Sequence, residues 1–490
     1  MFESAELKCK LSKEDYEQQI HDLRICLIEM QQRLEAAAVP VVLIVAGVDF
    51  SGKGDIISKL NEWLDPRYMR THAFGEASDE EAERPRHWRY WMSLPPRGKI
   101  GLYSMGWYGV PLSNRVHGRI SGAKLDAELA HINRLEKMLT EDGTLVLKCW
   151  LHLSRKQQEK ILDKLDSDPE TRWQVGKLDK KHAKLYDDFI EIAEHTLRQT
   201  STPEAPWLII NGYDPQYRRI TVAQWIIESI TTRLEALGVF PSKARDFASK
   251  NRGQDILAAL DLGQKLEKPD YQKQLAHWQG RLNRLFRLAW QEKRSAILVF
   301  EGWDAAGKGG TIRRITQAID ARNYQVIPIA APTDEEKARH YLWRFWRHLP
   351  RGGKVTIYDR SWYGRVLVER VEGFAEPQAW MRAYSEINDF EEELTDHGVI
   401  LLKFWMHIDQ EEQLRRFKAR ENTSYKRYKI TQEDYRNREN WDKYVEAVND
   451  MVTRTSTEYA PWRLIPAQNK YHGRIQALKG VCEAYERALS

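Results

Sequence analysis

Cysteine is scarce in this chain: four residues in 490, at Cys9, Cys26, Cys149 and Cys482, with no CxxC pair among them. That scatter excludes a disulfide framework and a thiolate metal site, and it reads as reduced thiols in a cytoplasmic protein. Long apolar runs are also missing. The stretch VPVVLIVAGV, residues 39–48, is too short to span a bilayer, and the opening MFESAELKCK has no signal-peptide core. Neither a membrane partner nor export is expected. An excess of one charge is lacking too: Lys+Arg 76 against Asp+Glu 71 leaves net +5, too little to argue for nucleic acid as a partner.

What the chain does have is a duplication. The glycine loops AGVDFSGKGD, residues 46–55, and EGWDAAGKGG, residues 301–310, place Gly47 and Gly302 255 positions apart. The same offset pairs Asp15-Tyr16 with Asp270-Tyr271, Trp88 and Trp91 with Trp343 and Trp346, and Trp107-Tyr108-Gly109 with Trp362-Tyr363-Gly364. It also pairs Lys148 and His152 with Lys403 and His407, and Ala205-Pro206-Trp207 with Ala460-Pro461-Trp462. A register that holds this far marks a duplicated domain, not short repeats. The connector GVFPSKARDFASKNRG sets the expected boundaries: residues 1–237, a linker at 238–253, and residues 254–490.

Each half opens with a charged amphipathic helix (15–34 and 270–290), then a strand, the glycine loop and another helix. KVTIYD and VILLKFWMHI read as later strands. Strands alternating with helices predict an α/β fold, a parallel sheet flanked by helices in each half.

In the second loop Gly302, Gly307 and Lys308 fit G-x-x-x-x-G-K. Glycines there let backbone N–H groups approach phosphate oxygens, and the lysine adds a compact positive charge. The expected phosphate-binding backbone is Gly302, Ala305, Ala306, Gly307, Gly309 and Gly310. Gly309 follows Lys308 where a P-loop NTPase places the hydroxyl that binds Mg²⁺, so the metal needs other ligands. Asp304 in the loop and Asp359 at the end of KVTIYD are the candidates, with Arg360 to neutralise the transferring group.

Residues 415–429, RRFKARENTSYKRYK, carry seven basic residues, among them Arg416, Lys418, Arg420, Lys426 and Arg427, against the single acid Glu421. Residues 160–174 of the first copy have three basic and four acidic residues. A charge run is usually a solvated helix face, but here one structural position reverses sign between copies. Other changes run the same way: Glu301, Arg313, Asp359, Arg360 and Arg365 become Ala46, Ser58, Ser104, Met105 and Val110, while Asp49 and Lys53 persist. The reading is one active copy, the second, and one degenerate copy. Trp343, Trp346 and His407 persist as Trp88, Trp91 and His152, and are read as core and structural residues; Glu369 and Asp434 are weaker site candidates.

GWDAAGKGG, the strand-end motif YDRSWYGR at 358–365 and the basic stretch through Arg420 together resemble the polyphosphate kinase 2 family. The resemblance spans both halves. It implies two tandem P-loop kinase domains and Mg²⁺-dependent phosphoryl transfer between inorganic polyphosphate and a nucleotide. It further implies Asp304 and Asp359 at metal and catalysis, Lys308 and Arg360 as catalytic partners, and Arg420 as a lid arginine. The two-copy layout implies polyphosphate and AMP as substrates, giving ADP, and a homo-oligomer. The alternatives are an ADP acceptor, an ATP-dependent nucleoside-monophosphate kinase, and a non-enzymatic nucleic-acid-binding scaffold.

Overall fold

The computed structural model describes the chain except residues 1, 7–9, 176–184, 240–255 and 423–431. Most of the expected linker therefore lies outside the described residues. Two compact units emerge. The first comprises Met1–Ala77, Arg89–Lys243 and Asp334–His340; the second comprises Ser78–Trp88, Ala244–Thr333 and Tyr341–Ser490.

The first unit holds a five-stranded sheet of β1 (Val41–Gly47), β2 (Met69–Ala73), β3 (Ile100–Ser104), β4 (Leu145–His152) and β5 (Trp207–Asn211). Its order is β2-β3-β1-β4-β5, with every pairing parallel. The second unit repeats it with β6 (Ala296–Gly302), β7 (Tyr324–Pro328), β8 (Val355–Asp359), β9 (Ile400–His407) and β10 (Trp462–Pro466). The order β7-β8-β6-β9-β10 is the same, again all parallel. The α/β reading therefore holds in both halves.

Central strands read as continuous apolar runs because both of their faces are covered. All seven residues of β1 are buried. Val41, Leu43 and Val45 share one cluster with Leu34, Ile56, Leu60 and Ile226, while Val42 and Ile44 are buried outside it. Period-2 alternation thus feeds two cores, each buried Val, Leu or Ile contributing about 1.5–3 kcal/mol relative to an exposed one. In the second unit the Lys268–Gln291 and Lys470–Leu489 helices pack together, as do Pro377–Asp396 and Trp441–Thr455.

The recurring Trp-Tyr-Gly motif has a structural cause. The Nζ of Lys403, fully buried on β9, donates to Glu391 Oε2 at 2.6 Å, Tyr363 Oη at 2.9 Å and the Thr455 carbonyl at 2.6 Å. Trp362 Nε1 and Tyr363 Oη donate to Glu391 Oε1 at 3.0 and 2.6 Å. Lys148, Glu136, Tyr108, Trp107 and Thr200 build the same cluster in the first unit. Trp343 and Trp346 are buried, as expected of core residues. Cys26, Cys149 and Cys482 are free thiols, and no helix among the described residues is long and apolar enough to cross a membrane.

Candidate functional site

The site lies beyond the carboxyl ends of β6 and β8, where an open parallel sheet presents its loops. Gly302 ends β6 with φ 142°, and a Cβ there would fall 2.4 Å from the Met406 carbonyl oxygen, so only glycine fits. The chain then turns through Ala305 (φ 64°) and Gly307 (φ 111°) into the helix Lys308–Thr316. That helix presents its unpaired N–H groups to the loop, a ready anion site. Lys308 Nζ donates to the carbonyls of Gly302 at 2.6 Å and Trp303 at 3.2 Å. A Cβ on Gly309 would lie 3.9 Å from Asp359 Oδ2, so the missing side chain opens the space beside that carboxylate. Thr311, which might replace the missing hydroxyl, is buried and donates to the Gly307 carbonyl at 3.2 Å.

Asp304 is the hub. Its Oδ1 accepts from Arg360 Nη2 at 3.0 Å and its Oδ2 from Asn437 Nδ2 at 3.0 Å. Burial pulls its carboxyl up, but the charges of Lys308 and Arg360 and the two hydrogen bonds outweigh that and hold it below the ordinary carboxylate range. Its folded pKa thus lies below the unfolded one. The stability it contributes should be complete above about pH 5 and lost as pH falls through the lowered value. Wild type and Asp304→Asn should therefore differ most in stability above about pH 5 and converge on acidification, and a gap that does not narrow as pH falls would contradict this.

Arg360 reaches Asp304 from a left-handed backbone, φ 66°, just after β8. Met105, its counterpart, keeps the same kink at φ 60° without the guanidinium. The Asp359 backbone carbonyl accepts from the Ile329 N–H at 3.0 Å, while its carboxylate has no hydrogen bond or ion pair among the described residues. Glu301 is buried and accepts from Ser361 Oγ at 2.8 Å; burial pushes its carboxyl up. Among the described residues no group of three or more His, Cys, Asp or Glu could hold a metal. Two carboxylates beside a phosphate site suit Mg²⁺, which takes one or two carboxylates and fills its octahedron with phosphate oxygens and water.

The basic segment is used differently from the expectation at one position. Arg416 was expected on phosphate, yet its Nη1 donates to the Ala305 and Ala306 carbonyls at 3.0 and 2.9 Å. Its Nη2 donates to those of Ala467 and Gln468 at 2.7 and 2.9 Å. Glu412 holds its Nε at 2.5 Å. A side chain with every donor committed braces the loop. Lys418 is exposed and Arg420 half-buried on the same helix, Gln410–Glu421, while Lys426 and Arg427 lie outside the described residues. Glu369 pairs with Arg365 at 3.0 Å. His407 Nδ1 accepts from the Trp303 and Trp405 indoles at 3.1 and 3.4 Å, in keeping with a structural role.

The residue that sequence reasoning missed is Asn437. It sits on the short helix Gln432–Glu439, and its Oδ1 accepts from Tyr444 Oη at 3.2 Å, which aims the amide at Asp304. Gln413 Nε2 adds a bond to the Asp304 carbonyl at 3.2 Å. A cavity of about 70 Å³ opens between Asp304, Arg360, Trp303, Gln413 and Asn437. Trp303 stacks on Trp441 there, centroids 3.7 Å apart and rings 10° from parallel.

Each unit is thus a parallel α/β domain with a glycine loop after its central strand, and the second adds the acids and guanidinium of phosphoryl-transfer chemistry. The polyphosphate kinase 2 family profile matches residues 10–236 and again 265–489, and the chain belongs to that family. It is 48% identical over 493 residues to a polyphosphate:AMP phosphotransferase of Pseudomonas aeruginosa, covering 100% of this chain and 99% of the relative. A second, from Acinetobacter johnsonii, is 38% identical over 94% of each chain. An ADP-polyphosphate phosphotransferase of Rhizobium meliloti is 37% identical over 47% of this chain and 82% of its own. A crystal structure described as a polyphosphate kinase 2 from Pseudomonas aeruginosa superposes with TM-score 0.89 at 46% identity, covering 100% of this chain and 99% of that one.

Proposed function

We propose that the second unit transfers a phosphoryl group from inorganic polyphosphate to AMP, giving ADP. The observation that carries this is the asymmetry of the two loops. Asp304, Lys308, Asp359 and Arg360 gather at one sheet edge in the second unit, while the first has Asp49, Lys53, Ser104 and Met105 at those positions. AMP as acceptor is supported by the full-length relatives of that name.

The terminal phosphorus of the donor leaves its bridging oxygen as an oxygen of the AMP phosphate bonds to it. Such a step asks little covalent work of the protein; positioning and charge stabilisation dominate. The backbone N–H groups of residues 305 and 307–310 and Lys308 seat the donor end, while the Ala306 N–H is held by the Trp303 carbonyl at 3.0 Å. Arg360, held by Asp304, stands ready to neutralise charge on the transferring group. Asp304 and Asp359 are the residues that would hold Mg²⁺, which supplies electrophilic charge to the phosphate oxygens when bound. Asp304, fully ionised at neutral pH, orients the acceptor end, fixed by Asn437 and Arg360.

A long phosphate chain is a flexible polyanion, so a positive track should position it. Arg420→Glu is expected to raise the KM for long-chain polyphosphate by on the order of tenfold while the KM for AMP stays within about twofold, a loss near one charge contact. Unchanged donor kinetics would remove Arg420 from the track. We also place the enzyme in the cytoplasm, on the free thiols, and as a homo-oligomer, which sedimentation velocity tests directly.

A further inference from the structure

The first unit keeps a cavity at its own glycine loop. It encloses about 200 Å³, against about 70 Å³ for the cavity beside Asp304. The sequence explains the difference: Trp303 is replaced by Val48 and Arg360 by Met105, so the walls recede and become apolar. Val48, Met105, Leu112 and Val116 line it together with the rings of Tyr186 and Phe189.

Polar groups decide what fits. Lys53 Nζ donates to the Gly47 and Val48 carbonyls at 2.8 and 2.9 Å and pairs with Asp49 at 3.4 Å, so its charge is already balanced. Burial also pulls its ammonium down, with Asp49 opposing. Asp55 stands where the second unit has Gly310, in the first turn of the helix Lys53–Trp63. Its carboxylate accepts from Arg218 Nη2 at 2.8 Å and Arg219 Nε at 3.0 Å. Asp55 and its two arginine partners thus occupy the helix start that Gly310 leaves without a side chain in the second unit.

One acceptor is left over. Gln158, 4% exposed, donates from Nε2 to the Asp49 carbonyl at 3.3 Å, but its Oε1 has no partner among the described residues. In the second unit the matching Gln413 Oε1 accepts from Arg438 Nη1 at 3.4 Å. An orphaned buried acceptor is costly, and a donor on a ligand would offset that cost.

We propose that this cavity binds an uncharged aromatic heterocycle of nucleoside size, its ring against Tyr186 and Phe189 and an N–H on Gln158 Oε1. Aromatic walls with few polar groups suit such a ligand. The reading that AMP is the acceptor enters only in the choice of adenosine as probe. Equilibrium dialysis of adenosine against the full chain should show uptake that Ser113→Trp and Gln158→Leu each reduce by one equivalent per chain. Ser113 is exposed and lines the cavity, so a tryptophan there blocks it without entering the core. Equal uptake by wild type and both variants, including none by any, overturns the proposal. Polyphosphate-dependent AMP phosphorylation measured on the same proteins reports on the second unit separately, so its failure is distinguished from the failure of this site.

Discussion

Asp304→Asn should lower kcat for AMP phosphorylation by polyphosphate by at least about 10³-fold, with Asp49→Asn within about twofold of wild type. The size follows from what Asp304 does at once. Its two oxygens fix Arg360 and Asn437 at 3.0 Å each, and its charge is one of two available to a metal. The amide keeps the shape and loses the charge, and its NH₂ would face a guanidinium or an amide donor. Asp49 pairs instead with Lys53 at 3.4 Å, and Ser104 and Met105 stand where the second unit has Asp359 and Arg360. Steady-state ADP formation on the two purified variants checks both halves. Comparable losses in both would mean that two loops work together, and the one-active-copy account would be wrong.

Lys403→Met is expected to destabilise the second unit by about 3–5 kcal/mol, because it strands the Glu391 carboxylate in a site with no solvent. Glu391 would keep only the donors of Trp362 and Tyr363. Burial already pushes the Glu391 carboxyl up, and Lys403 is the charge that opposes it most. The double variant Lys403→Met with Glu391→Leu should recover most of the loss, since apolar replacement of a whole buried pair is often near neutral. Urea denaturation followed by far-UV circular dichroism measures all three. A single-variant loss below about 1 kcal/mol, the range of an exposed pair, would show that water reaches the cluster. Lys148→Met makes the same prediction for the first unit, where the cluster recurs.

The duplication and the sheets were legible because apolar runs and a constant offset survive in both copies. β1 and β6 announced themselves as seven-residue buried strands with glycine at their ends. The divergent loop was legible for the same reason: Ser104 and Met105 stand in register against Asp359 and Arg360. Asn437 was not, since an amide on a short polar helix carries neither periodicity nor motif, and only the fold brings it to Asp304. Arg416 was misread because charge density says nothing about which cations already have partners; four carbonyls claim it. Glu391 hid in the Pro377–Asp396 helix as one more acid, though the Trp-Tyr-Gly motif of its own copy meets it, as that of the first copy meets Glu136. The grouping of residues 78–88 with the second unit and 334–340 with the first left no mark in composition.

The central claim is that the second unit draws its phosphoryl group from a long inorganic polyanion. The most direct measurement is ADP formation from AMP and Mg²⁺, with long-chain polyphosphate and ATP compared as donors at equal phosphate concentration. The account predicts that polyphosphate supports turnover with a kcat/KM at least about tenfold above that of ATP, the gain a multi-contact basic track would give. ATP as the preferred donor would contradict it, and would make the protein a nucleoside-monophosphate kinase whose basic segment serves another purpose.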